Sequence, residues 1–234
     1  MNRLYRLLDS RLLRRARAVT ATQAIPPELW DAEAEEADAC NLFVFFNLES
    51  AFAMGHSILG LARKGGPVET FSFYRRARKV IAPAKVATIR EEITFDQIVE
   101  RGGWILHGRE DDIWYEHMTC CLALECPQRA YERALVFFRA VAEHPGTYGL
   151  ITRNCIHICR QALAAGGVHM LDGRGRPFRT ILPRHVYLKA AGAEGARPYR
   201  AWRYWFPLAK PPRNPQGYRV RPVKMPALLG PLDE

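Results

Sequence analysis

What this chain lacks narrows its class before any motif is read. No apolar run approaches the roughly 18 residues that a transmembrane helix needs, and the longest stretches, such as Leu42–Phe46, have strand length. A secretory signal would show an uninterrupted apolar stretch near the N-terminus, but Arg stands at positions 3, 6, 11, 14, 15 and 17 instead. The expectation is a protein that is cytoplasmic when made, with any export through a Sec-independent system. Paired C-x2-C motifs are missing. Cys40, Cys120, Cys121, Cys126, Cys155 and Cys159 follow C-C-x4-C and C-x3-C spacings, which argues against a zinc centre. No metal and no cofactor is expected. The adjacent Cys120 and Cys121 sit in an apolar stretch, as buried reduced thiols do. Gly and Pro together number 33 of 234 residues, too few for a low-complexity chain. A hydrophobic share of 48% rules out a chain too poor in apolar surface to fold.

What is present is an uneven charge. The formal net charge is +10, and residues 174–234 carry 13 Lys/Arg against 3 Asp/Glu, so the whole excess lies there. Residues 1–20 hold six Arg and one Asp, which leaves residues 21–173 mildly acidic. A basic segment thus flanks a near-neutral body at each end. Such ends fit docking on an anionic wall, a membrane surface or an acidic carrier protein better than they fit chemistry.

Three regions follow. Residues 1–39 predict an amphipathic helix, with Leu4, Leu7, Leu8, Leu12 and Val19 on one stripe, then an acidic linker after Pro26-Pro27. Residues 40–190 predict one α+β domain. Asn41–Leu48 reads as a buried strand; Ser57–Ala62 and Glu69–Tyr74 read as a hairpin around Arg63–Pro67. Residues 75–112 are less distinct, with a short helix over Glu91–Glu100 and a strand over Trp104–His107. Trp114–Glu125 reads as one strand. Pro127 opens a helix with Tyr131, Ala134, Leu135, Phe138 and Val141 at helical spacing, and a second helix runs from Asn154 to Ala165. Residues 191–234 form a basic extension rich in Pro and aromatics, including Ala201–Phe206.

Two local patterns carry chemistry. Gly55-His56-Ser57 places a His at the start of an apolar strand. Arg153-Asn154-Cys155 places a Cys in the first turn of a helix behind an Asn N-cap. A helix N-terminus favours negative charge and so lowers a thiol pKa. Its free N–H groups can hold an oxyanion. A strand-borne His can serve as base and then acid. His157, two positions after Cys155, points elsewhere, and Cys159, one turn on, reads as core.

The order of His-bearing strand, hairpin strand, long helix and Asn-Cys helix ending Ala164-Ala165-Gly166 resembles the circularly permuted papain-like hydrolases. These include the permuted relatives of NlpC-type peptidoglycan amidases and of the lecithin:retinol acyltransferase group. The resemblance covers about residues 40–190 and rests on Gly55-His56, Phe71–Tyr74 and Arg153–Cys155. It implies a small antiparallel sheet packed on helices, with Cys155 as nucleophile and His56 as base. The third, orienting residue would come from the next strand. Glu69, Thr70 and Ser72 are the candidates, none of them the His of the acyltransferase group. Glu69 is preferred over Ser72 because a carboxylate holds an imidazolium more strongly. Alternation also puts Glu69 on the side of Phe71 and Phe73.

Three functions stay open on these grounds. One is an amidase or peptidase acting on cell-wall peptides or a protein. The resemblance links this to interbacterial effectors and hence to an immunity partner. The second is a lipid-directed acyltransferase or thioesterase at an anionic membrane. The third is a basic binding module in which Tyr199, Trp202, Tyr204 and Trp205 stack bases. Nucleic acid is disfavoured, since the Pro-rich tail shows no recognised motif.

Overall fold

The computed structural model describes residues 39–48, 55–75, 81–109, 112–168, 182–190, 201–207 and 209–221. The helix expected over residues 2–19, the acidic linker after it and the last thirteen residues lie outside that set. The element order is β1 (Ala39–Asn47), β2 (His56–Arg63), β3 (Glu69–Arg75), β4 (Ile81–Ile89), α1 (Phe95–Glu100), β5 (Trp104–Arg109), β6 (Asp112–His117) and β7 (Cys120–Pro127). Then come α2 (Gln128–Glu143), β8 (Thr147–Gly149), α3 (Cys155–Ala165), α4 (Pro183–Ala190), β9 (Ala201–Trp205) and β10 (Arg219–Val220).

The architecture is α+β. A sheet runs in the order β10-β6-β5-β4-β3-β2-β1-β7-β9, with β8 added against β4. Its ladders are antiparallel except for β10 on β6. The sheet is therefore larger than the small one expected, and two of its strands come from the basic C-terminal region.

Alternation along the strands sorts the apolar residues onto two faces. Leu42, Val44 and Phe46 of β1 join Leu59, Leu61, Phe71 and Phe73 in a core closed by α2 and α3. The helix α2 contributes Ala130, Ala134, Phe138 and Val141, with the Phe138 ring 4.5 Å from that of Phe71. Phe43, Phe45, Ile58 and Ala62 face the other way and pack with Ile98 of α1 and Phe206. Gly60 lies opposite Phe43, and a Cβ there would come 2.6 Å from the Phe45 ring, so the close approach of β2 to β1 needs glycine.

Two expectations are corrected. The single strand over Trp114–Glu125 is two strands, β6 and β7, parted at Met118-Thr119. There the Met118 amide donates to Gly103 O, the Thr119 amide donates to Phe46 O, and the Thr119 hydroxyl accepts from the Leu48 amide. These bonds pull the chain from β5 across to β1. Because His117, Met118 and Thr119 are all buried, the apolar pattern gives no sign of the break. The strand β4 was not anticipated, because Pro83 and Lys85 interrupt its pattern. Pro83 is tolerated because the β3 ladder begins only at Ala84.

Among the described tail side chains, Phe206 is buried in the core and Tyr204 and Trp205 pack against it, while Tyr199 and the Trp202 side chain lie outside the described set. Arg203 is buried, stacks 4.7 Å over the Tyr187 ring and donates to Tyr187 O. Tyr204 packs on Phe95 and Phe206. Of the four aromatics considered for stacking, Tyr204 and Trp205 are thus partly covered by the protein itself. No described helix is long and apolar enough to cross a membrane.

Candidate active site

Gly55 leads the chain into β2 with φ +81°, a conformation that L side chains rarely adopt. A Cβ there would also meet Pro183 at 3.3 Å. His56 follows as the first residue of β2, opposite Asn47 of β1. The β2–β3 ladder holds only Leu59–Leu61 against Phe71–Glu69, so His56 sits beyond its end. From there the imidazole reaches two neighbours. Its Nε2 lies 2.9 Å from Ser72 Oγ of β3, and it hydrogen bonds the thiol of Cys155.

Cys155 is delivered by a short local fold. Gly149 and Arg153 bridge to each other across a tight turn. Arg153 fixes that turn by donating to Pro145 O and Thr147 O, with its guanidinium 5.0 Å over the Phe73 ring. Asn154 then caps α3: its Oδ1 accepts from the His157 amide at 3.2 Å, and its Nδ2 donates to Leu150 O. The cap sets Cys155 as the first residue of α3, and the thiol is 2% exposed.

The electrostatics follow from these neighbours. Burial pushes the Cys155 thiol up, but the adjacent His56 charge and hydrogen bonds from His56 and Ser57 outweigh it and hold the thiol at about 7. Burial pulls His56 down, and the facing Cys155, helped by Glu116, more than reverses this, so its pKa is raised. Each partner thus favours the charged form of the other, as in a thiolate–imidazolium pair. Four of the other buried thiols behave in the opposite way. Cys126 is pushed up to about 12 by burial, and Cys120, Cys121 and Cys159 are raised as well. All six cysteines are buried and free of disulfides.

Tyr148 of β8 completes the surroundings. Its hydroxyl hydrogen bonds both the Cys155 side chain and the Cys155 backbone, and burial raises its pKa. Ser57 gives Cys155 a side-chain and a backbone hydrogen bond, and its Oγ also lies 3.8 Å from Cys159 Sγ. The sequence places Tyr148 beside the site without fixing its role, and it does not single out Ser57. The usable signal was alternation: Ser57 shares its face with Leu59 and Leu61, the side covered by α3.

Of the candidates for the third residue, the structure brings Ser72 to His56 and leaves Glu69 away. The register pairs Glu69 with Leu61, at the far end of the hairpin. Its carboxylate accepts from the Tyr131 hydroxyl at 3.1 Å and lies 3.9 Å from Arg139, both on α2. Alternation puts Glu69 on the face of Phe71 and Phe73, where α2 covers it, whereas His56 meets Ser72, which alternation turns to the opposite face. Thr70 pairs with Gly60 and is also remote from His56.

No described group of three or more His, Cys, Asp or Glu side chains is arranged to hold a metal ion. No family model, curated protein or solved structure matches the chain.

Proposed function

We propose that this chain is a cysteine-dependent hydrolase or acyltransferase of papain-like type, with Cys155 as nucleophile, His56 as general base and acid, and Ser72 orienting His56. The observation that carries this reading is the hydrogen-bonded Cys155–His56 pair at a helix N-terminus, with the thiol held at about 7 while the Cys120, Cys121, Cys126 and Cys159 thiols are pushed up. The permuted papain-like order is supported by the chain order, a strand-borne His before a helix-borne Cys.

In the proposed cycle the Cys155 thiolate attacks the carbonyl carbon of an amide or ester. The carbonyl π pair moves to oxygen and forms an oxyanion. The Tyr148 hydroxyl and the Cys155 amide, which hydrogen bond each other at rest, are the donors placed to receive it. As the C–N or C–O bond breaks, the His56 imidazolium protonates the leaving amine or alcohol. A thioester remains on Cys155. Water then attacks it, His56 takes the water's proton, and the carboxylic acid leaves as the thiolate is restored. Cell-wall peptides are the first substrate to test, since the basic ends of the chain suit an anionic polymer.

The test is competitive alkylation with iodoacetamide across pH, read by mass spectrometry at each cysteine. Cys155 should react faster than the other five, with a midpoint near 7 that moves toward 9, the ordinary thiol value, in His56→Ala. Equal reactivity of Cys155 and Cys159 would sink the proposal. For the substrate, peptidoglycan digests of wild type and Cys155→Ala should differ in released fragments, and identical profiles would remove the cell wall as the target.

A further inference from the structure

A second buried charge lies behind the candidate pair. Glu116 of β6 is 0% exposed, in a sheet whose neighbouring side chains are mostly apolar. Three donors converge on it: Asn47 Nδ2 reaches Oε1 at 3.1 Å, while Trp114 Nε1 and Arg221 each reach Oε2 at 3.2 Å. Asn47 is also the residue that faces His56 across the β1–β2 ladder. A side-chain bridge therefore leads from the backbone partner of His56 to a buried carboxylate. Arg221 follows β10, donates its amide to Tyr115 O and lays its guanidinium 4.3 Å over the Trp114 ring.

Resting on the Cys155–His56 reading, we propose that Glu116 is a positioning residue that stabilises the charged form of His56 through the partly buried Asn47 bridge and its own field, and that Arg221 tempers this by neutralising Glu116 from the C-terminal strand. A buried carboxylate with three donors stays ionised, and in a low-dielectric interior its field reaches past direct contact. The groups that bear on the pair come from every side. Cys155 faces His56 from α3, and Arg221 faces Glu116 from beyond β10. His107 of β5 lies near both, and burial lowers its pKa to about 4, so it is neutral near pH 7. Tyr74 of β3 meets Trp114 edge-on, and Arg219 stands over the same ring while paired to Asp112. Arg221 thus opposes Glu116 with a fixed charge, while neutral His107 does not, and the basic C-terminal region gains a role inside the site.

The two charges make opposite predictions, which a merely structural role would not. In the full chain, the titration of His56 is followed by NMR of its ring nitrogens. Glu116→Gln should lower the His56 pKa by about one unit, and Arg221→Met should raise it. Glu116→Asp, which keeps the charge, should restore most of the loss. Shifts of both variants in the same direction would overturn the inference, as would an unmoved His56. If Glu116→Gln does not fold, Arg221→Met decides alone, an upward shift supporting the inference and none overturning it. Iodoacetamide labelling of the same samples separates the two claims. Fast, His56-dependent labelling of Cys155 with no electrostatic shift leaves the proposed function standing and rejects the role of Glu116. Slow labelling of Cys155 in the wild type rejects both.

Discussion

At the scale of single side chains, the site turns on which neighbour holds the imidazole. Glu69 and Ser72 are three residues apart on one strand, yet only Ser72 lies within hydrogen-bond reach of His56. A neutral hydrogen bond contributes about 1 kcal/mol. Ser72→Ala should therefore slow acylation of Cys155 by roughly five- to tenfold. Glu69→Ala should leave that rate unchanged and cost less than about 1 kcal/mol of stability, because its bond to Tyr131 and its long pairing with Arg139 are partly solvated. Stopped-flow measurement of Cys155 acylation by an activated ester, with urea unfolding of the same variants, distinguishes the two. A rate loss in Glu69→Ala equal to that in Ser72→Ala would show that the resting geometry misassigns the third residue.

At the scale of elements, the nucleophile depends on how α3 begins. Asn154 joins the turn from Leu150 to the first amides of the helix, and its Oδ1 also lies 2.9 Å from His157 Nδ1. Loss of such a cap costs about 1 kcal/mol, so Asn154→Ala should lower the melting temperature by about 2–4 °C for a chain of this size. Asn154→Ser, which keeps a capping oxygen, should lose less. Calorimetry on the two variants checks this, and equal losses would assign the effect to the Leu150 bond. Asn154, the α3 boundaries and the β2–β3 hairpin were legible because each carries a local signal: a cap residue, a Gly-Gly stop, a Gly-Gly-Pro turn. The split between β6 and β7 was not, because bonds to Gly103 and Phe46, remote in sequence, make it. Strand β4 was hidden for the complementary reason. Its buried Ala84 and Val86 depend on strand neighbours that no short window contains. Cys155 and His56 were found by local pattern, while Ser57, Tyr148 and Glu116 reach the site through pairing across the sheet.

At the scale of the whole molecule, the +10 charge and the buried Glu116 anion belong together. The basic excess is formal charge on the C-terminal region, and Arg221 there sets part of it against Glu116 inside the fold. Burial pushes the Glu116 carboxyl up, and Arg221 first, with His56 and His107, outweighs this and holds it at about 2, against an ordinary 4.5. A carboxyl depressed on folding contributes stability that is fully present above its unfolded value and is lost as pH falls through the folded one. The wild type should therefore lose stability between about pH 4.5 and pH 2, where the unfolded chain takes up this proton before the folded one does. Glu116→Gln should be less stable near neutrality by up to about 3 kcal/mol, since the buried Trp114 indole and the partly buried Asn47 and Arg221 lose their anionic partner. Its stability should also fall less steeply across that acid window, because the variant has no such proton to bind. Salt offers an independent control. The exposed Arg219–Asp112 pair is screened at high ionic strength, whereas the contact of the fully buried Glu116 is much less so. Urea unfolding from pH 2 to 7, at low and high salt, tests this directly. Parallel acid limbs for wild type and Glu116→Gln would mean that other carboxylates govern acid unfolding and that the buried anion is not the group binding the tail strand to the core.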